Sequence, residues 1–195
     1  MTTDPYALFG DWFAEAQAAE PNDPGAVALA TVEPDADGLP RPDVRIVLMR
    51  GFDTNGFLVF TNYDSAKGRQ IRQCPTAALC FHWKSIRRQV RVQGSIGRAT
   101  VAESDAYFAG RPRPNQLSAW ASRQSEPLDR RETFEARLAE MDARFPADVP
   151  RPGNWGGYRL VPDKIEFWED RPGRQHWRTL FTRTADGWAE GLLFP

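Results

Sequence analysis

The sequence predicts an α+β domain that is mainly β, a barrel or sandwich of short strands with helices at its periphery. Strand-like runs recur along the chain with turn residues between them, while helical spacing is confined to the N-terminus and the middle. No internal repeat is visible, and the proline-rich stretches at 111–114 and 146–152 are too short to act as domain linkers. The reading is therefore one domain spanning 1–195, with an N-terminal helix at 4–20 and C-terminal strands at 157–193 belonging to the same body.

The opening helix rests on Leu8, Phe9, Trp12, Phe13 and Ala16 at helical spacing, with Asp4 and Pro5 in the order of an N-cap and a first-turn proline. The segment PNDPG is a turn, and Ala26 to Val32 reads as a short buried strand. After a loop holding Pro34, Gly38, Pro40 and Pro42, the runs Val44 to Arg50 and Phe57 to Thr61 predict an antiparallel hairpin. A short helix follows, capped at Asp64 or Ser65, whose first turn places free N–H groups beside Lys67, an arrangement suited to anions. Thr76 to Trp83 and Gln89 to Arg98 are two more strands, the second alternating Val90, Val92 and Ile96 with polar residues. Helices are expected at Val101 to Gly110, Gln116 to Ala121 and Asp129 to Phe145, the last with Phe134, Leu138, Met141 and Phe145 on one stripe. Four strands close the chain, at Gly157 to Val161, Lys164 to Trp168, Arg178 to Arg183 and Trp188 to Leu193.

Composition excludes several function classes. The 25 basic and 26 acidic residues leave a net charge of −1, which removes the long-range electrostatic case for a dedicated nucleic-acid binder. No apolar run approaches the roughly 18 to 20 residues of a membrane span, and the N-terminus lacks a basic stretch ahead of an apolar one, so a cytoplasmic protein is expected. Cys74, Cys80, His82 and His176 are the only cysteines and histidines, too few for a paired zinc cluster, and metal catalysis is not expected.

No phosphate-loop, dinucleotide-turn or nucleophile-elbow motif is present. What stands out is an excess of Arg, Lys, Gln, Ser and Thr at or near strand ends, among them Arg45, Thr61, Lys67, Gln89, Arg111, Gln124, Ser125, Arg174 and Arg178. Guanidinium forks match phosphate oxygens, and amides and hydroxyls complete the remaining bonds, so these residues suit a phosphorylated ligand. For any one of them the ordinary reading is a solvated or ion-paired surface group.

Read together, RIVLMR (45–50), FTN (60–62) with Ser65 and Lys67, RRQVRVQG (87–94), YFAGRPRPNQLSAWASRQS (107–125), NWGGYRL (154–160), IEFW (165–168) and RQHWR (174–178) resemble the pyridoxamine 5′-phosphate oxidases over nearly the whole chain. That resemblance implies an FMN-binding split β-barrel homodimer with FMN at the subunit interface. It further implies oxidation of pyridoxamine or pyridoxine 5′-phosphate, vitamin B6 compounds, to pyridoxal 5′-phosphate by O₂ with release of H₂O₂. Carried over by position, it implies FMN contacts from Arg45, Ile46, Val47, Leu48, Met49 and Arg50, and from Phe60, Thr61, Lys67, Gln89, Gln124, Ser125, Trp168 and Arg178. Arg50, Tyr107, Arg111 and Asn115 are implied around the substrate phosphate, with Arg174 and His176 over the substrate ring as the catalytic pair.

The chain departs from the family pattern at its ligand sites. Arg50 stands where the family usually has Lys, Asn115 where it has Ser, Ala66 where an Arg usually precedes the FMN-contacting Lys, and Trp177 where an acid usually follows the histidine. The usual terminal R-L-A-P is Leu192 to Pro195. Two other readings therefore stay open at this point: an FMN oxidase of another flat anionic ring, of the kind found in phenazine biosynthesis, and a flavin-binding protein without turnover.

Overall fold

The computed structural model describes residues 4–195. Eight antiparallel strands form one sheet, β1 (Ala26–Pro34), β2 (Pro40–Asp53), β3 (Gly56–Asn62), β4 (Thr76–Trp83), β5 (Arg88–Arg98), β6 (Trp155–Glu169), β7 (Trp177–Thr184) and β8 (Gly187–Leu193), in the order β3-β2-β1-β4-β5-β6-β7-β8. An added β3–β6 pairing, from Phe57 opposite Leu160 to Asn62 opposite Trp155, closes the first six of these into a barrel. β6 changes partners along its length. Its beginning lies between β3 and β5, and Lys164 to Glu169 lie between β5 and β7, so β7 and β8 leave the barrel as a flap. The mainly β expectation resolves as a barrel.

Inward alternation of aliphatic and aromatic residues fills the barrel, with Leu29, Phe57, Leu79, Phe81, Val90, Val92 and Ile165 all buried, and Phe181 of β7 is buried against the same core. The first helix, α1 (Pro5–Ala19), starts where expected, with the Asp4 carboxylate accepting the Tyr6 N–H at 3.1 Å and Pro5 in the first turn. Its buried stripe is Tyr6, Phe9, Trp12 and Ala16, rotated from the expected one so that Leu8 and Phe13 are only partly covered. Phe9 meets Phe52, Phe57 and Phe81 with ring centroids 4.7, 4.9 and 5.1 Å apart, sealing one end of the core.

Two boundaries differ from the expectation for reasons that involve proline. The loop expected around Pro34, Pro40 and Pro42 is mostly strand, because β1 and β2 pair out to Pro34 opposite Pro40 and the turn shrinks to the residues between them. The two strands expected at 157–161 and 164–168 are one continuous strand, β6, in which the register shifts opposite Gln93 and Gly94. A bulge absorbs Pro162, which has no N–H to donate, and a Cβ on Gly94 would stand 2.0 Å from the Val161 carbonyl oxygen.

Four further helices are α2 (Ala66–Gln73), α3 (Val101–Ala109), α4 (Arg113–Ala121) and α5 (Arg131–Arg144). Ser65, one of the two expected caps, is the N-cap of α2. α3, α4 and α5 build a second apolar cluster from Phe108, Leu117, Ala121, Met141 and Trp155; of the stripe expected on α5, only Met141 is fully buried. α3 begins with a capping box in which Thr100 and Glu103 exchange bonds. With Thr100 first and Arg159 adding to it, these contacts hold the Glu103 carboxyl down at about 2, against 4.5 unperturbed. A depressed carboxyl stabilises the fold fully above its unfolded value and loses that contribution as the pH falls through the folded one. Glu103→Gln is therefore expected to lower the melting temperature at pH 7, with the difference from the parent shrinking as the pH falls from about 5 to 2.

Candidate functional site

A cleft of about 510 Å³ lies against the barrel, lined by β2, β3, α2, α3 and α4. β2 supplies Arg45, Ile46, Val47, Leu48 and Arg50; β3 supplies Phe60, Thr61 and Asn62; Lys67, Tyr107, Arg111, Gln124 and Trp155 complete much of the lining. Of the six-residue run expected from β2, Met49 alone is missing. Its side chain is buried in the core and its N–H donates to the Gly25 carbonyl at 2.8 Å, a consequence of strand alternation just ahead of the bulge between Met49 and Gly51.

Lys67 is 9% exposed and its ammonium donates to Thr61 Oγ1 (3.3 Å), Ser65 Oγ (3.4 Å) and Gln124 Oε1 (3.4 Å), all neutral oxygens. No carboxylate pairs with it among the described residues. Burial, reinforced by the nearby Arg45 charge and only partly offset by Asp43, pushes the Lys67 ammonium below its ordinary value. The backbone that holds it in place is tight. A Cβ on Gly68 would lie 2.1 Å from the Tyr63 carbonyl oxygen, so Gly68→Ala is expected to cost about 2 kcal/mol, read as a fall in chemical-denaturation midpoint at unchanged slope.

Arg45 is more fully engaged. Its guanidinium donates to Leu29 O (3.1 Å), Thr31 Oγ1 (2.6 Å) and Gln70 Oε1 (3.0 Å), and it forms an ion pair with Asp43. Thr61 Oγ1 also donates to Gln124 Oε1 at 3.0 Å, tying β3 to the segment after α4.

A stack of aromatic rings carries the other cation. Phe60 and Tyr107 lie nearly parallel with centroids 3.9 Å apart, and Trp155 is parallel to Tyr107. The Arg111 guanidinium sits 4.5 Å over the Trp155 ring, with one terminal nitrogen buried and without a hydrogen-bond partner. Desolvation, offset in part by Tyr107 and reinforced by Arg50, lowers its proton affinity. An unpartnered buried guanidinium nitrogen is costly unless a ligand supplies the acceptor.

Asn115 is exposed on the first turn of α4 and does not line this cleft, and Ser125, at φ +74°, lines a neighbouring cavity beside α5 that Gln124 also borders. The remaining expected residues sit elsewhere. Trp168, Arg174 and His176 line a second cleft with His82, Lys84, Arg87 and Asp170. Gln89 is paired with Trp168 across β5 and β6, and Arg178 donates to Glu166 Oε1 (2.8 Å) and the Phe194 carbonyl (3.0 Å). Trp177 is 62% exposed, with the Arg171 guanidinium 3.5 Å above its ring. On one chain, then, most of the expected site residues fall into two separate clefts, while Met49, Gln89, Asn115, Ser125 and Arg178 line neither.

Sequence reasoning assigned no role to Trp155, Asn62, Ser118 or Ser122, all of which line the first cleft. Ser118 lies on α4 and Ser122 is its C-cap in extended conformation, so no helical spacing links them in the sequence; Trp155 lies inside a quoted motif without a chemical reason to single it out.

Among the described residues no helix is long and apolar enough to cross a membrane, and no cluster of metal-ligating side chains occurs. The closed barrel with its flap is the split-barrel class. It superposes with a TM-score of 0.91 on PhzG from Burkholderia lata 383, solved with tetrahydrophenazine-1-carboxylic acid, at 31% identity over 100% of this chain and 94% of that one. A pyridoxamine 5′-phosphate oxidase-related, FMN-binding protein of Nostoc punctiforme shares the fold at a TM-score of 0.77 and 22% identity, covering 100% of this chain and 99% of that one. Residues 13–145 match the pyridoxamine 5′-phosphate oxidase family, and 155–195 match the pyridoxine 5′-phosphate oxidase C-terminal dimerisation region. The chain belongs to the pyridoxamine 5′-phosphate oxidase family. It is 56% identical to the pyridoxine/pyridoxamine 5′-phosphate oxidase of Sphingopyxis alaskensis, over 100% of this chain and 89% of that protein. It is 52% identical to the protein of the same name from Brucella canis, over 100% of this chain and 96% of that one.

Proposed function

We propose that this chain is an FMN-dependent oxidase of pyridoxine and pyridoxamine 5′-phosphate, working as a single-domain homodimer in the cytoplasm. The observation that carries the reading is a pair of cations, buried Lys67 and half-buried Arg111 with its one buried, unpartnered nitrogen, which face one cleft without a carboxylate partner among the described residues. Cofactor and substrate each bring one phosphate, and each phosphate needs such a cation. The residues present thus fit FMN, with Lys67, Arg45, Thr61 and Gln124 as its holders in this cleft. Full-length identity of 52–56% to proteins named for this activity outweighs the 31% to PhzG.

The chemistry that bound FMN would supply is two-electron oxidation, taking a hydride equivalent from the substrate and returning it with a proton to O₂ as H₂O₂. The chain's own work is binding and orientation. Lys67 and Arg45 hold the cofactor phosphate, Arg50, Tyr107 and Arg111, with Asn115 from outside the cleft lining, receive the substrate phosphate, and Arg174 and His176 orient the pyridine ring. Ile46, Val47 and Leu48 offer strand backbone and apolar edges to the flavin, Ser125 stands beside Gln124 on the same chain, and Gln89, Trp168 and Arg178 complete the surroundings across the subunit boundary. Val44 and Ile46 on β2 are about two-thirds exposed in one chain, and Leu192 and Phe194 more so, which gives a second copy apolar surface to cover.

Sedimentation is expected to give a dimer of about 44 kDa, twice the 22.0 kDa chain. Anaerobic addition of pyridoxamine 5′-phosphate to the FMN-loaded protein is expected to bleach the flavin absorbance, and air to restore it with peroxide release. A yellow protein that bleaches with a reduced phenazine carboxylate and not with either B6 phosphate would transfer the reading to the phenazine type. A yellow protein that bleaches with neither would be a flavin binder without turnover.

A further inference from the structure

We propose that Asp170 is the positioning residue for His176, keeping a proton on Nδ1 and fixing the plane of the imidazole, and that Arg87 holds Asp170 in place. The inference rests on the reading of His176 as a residue over the substrate ring. Asp170 and His176 stand at the two ends of the connection from β6 to β7, and Asp170 Oδ1 lies 3.0 Å from His176 Nδ1. The other carboxylate oxygen is taken by the Arg87 guanidinium, and the Asp170 N–H donates to the Arg87 carbonyl at 3.1 Å. One residue of the β4–β5 turn therefore grips Asp170 by backbone and side chain together, leaving a single oxygen directed at the imidazole. Arg87 reaches this position at φ +55°, a left-handed conformation uncommon for a residue with a side chain.

Every other charged or titratable group lining this cleft is cationic or an imidazole: His82, Lys84, Arg87 and Arg174. Asp170 is the only carboxylate there, and it is 17% exposed beside an imidazole that is 18% exposed. The Arg171 N–H competes for the same nitrogen at 3.3 Å. A carboxylate can only accept, and its contact is the shorter and the charge-assisted one, so Nδ1 carries the proton. That leaves Nε2 as the atom that accepts from, or in the imidazolium donates to, a bound substrate. Trp168, with its ring centroid 4.6 Å away, limits rotation of the ring.

The test begins with the unsubstituted chain. Long-range ¹H–¹⁵N NMR of the cofactor-free protein, with His82→Gln separating its two histidines, is expected to show His176 protonated at Nδ1. A neutral ring protonated at Nε2 alone would overturn the proposal without any change at Asp170. In Asp170→Asn the Nε2–H form is expected to grow, and flavin reduction at saturating pyridoxamine 5′-phosphate to slow about tenfold, with FMN affinity unchanged and Asp170→Glu recovering most of the rate. Reduction at the parent rate in Asp170→Asn, while His176→Ala is slow, would overturn the positioning role alone. Parent-rate reduction in His176→Ala would instead overturn the placement of His176 at the substrate.

Discussion

Replacing Lys67 by methionine will weaken FMN binding by about tenfold to a hundredfold while leaving the cofactor-free chain at least as stable as the parent. The loss of affinity follows from removing a charge-assisted phosphate contact worth roughly 1.5 to 3 kcal/mol. The gain in stability follows from the same ammonium seen without its ligand: buried, surrounded by three neutral oxygens and pushed toward its neutral form by desolvation. Methionine keeps most of the length and apolar volume and needs no acceptor. Arg45→Ala should fall at the lower end of the affinity range, because the Arg45 guanidinium is already paired with Asp43 and bound to Thr31 and Gln70. Fluorescence titration of FMN and thermal melting of the cofactor-free proteins read the two effects separately. A Lys67→Met protein that binds FMN as the parent does would remove the phosphate from this end of the cleft.

Local signals were legible where the physics is local. The Asp4 cap, the Ser65 cap and the alternation of Val90, Val92 and Ile96 each depend on neighbours a few residues away, and each stands in the structure as the sequence implies. Barrel closure was not legible in the same way, since β3 meets β6 across about a hundred residues of chain and no spacing rule encodes that pairing. The prolines misled for a related reason. Pro162 breaks a strand only if its missing N–H has a partner to disappoint, and the bulge opposite Gly94 removes that partner. At the site, charged residues could be enumerated from the sequence, but their division between two clefts could not. Asp170 shows in the sequence only as an ordinary acid after a strand, and its meaning comes from Arg87, 83 positions earlier, and from the ring of His176.

That division into two clefts makes mixed dimers informative. Arg174→Ala alone should bind FMN normally and reduce it about a hundredfold more slowly, since Arg174 lies in the second cleft, away from Lys67, and a donor carbon misplaced by about 1 Å forfeits that much rate. Lys67→Ala alone should be inactive at FMN concentrations that saturate only the parent. If each complete site joins the first cleft of one chain to the second cleft of its partner, a dimer carrying Lys67→Ala on one chain and Arg174→Ala on the other holds one doubly damaged site and one intact site. Random exchange makes about half of the dimers mixed, so two nearly inactive proteins should recover roughly a quarter of parent activity when combined. If both clefts of a site came from the same chain, every site in the mixed dimer would carry one lesion and mixing would restore nothing. Differently tagged chains show directly whether mixed dimers have formed, so their presence without recovered activity would reject the shared site.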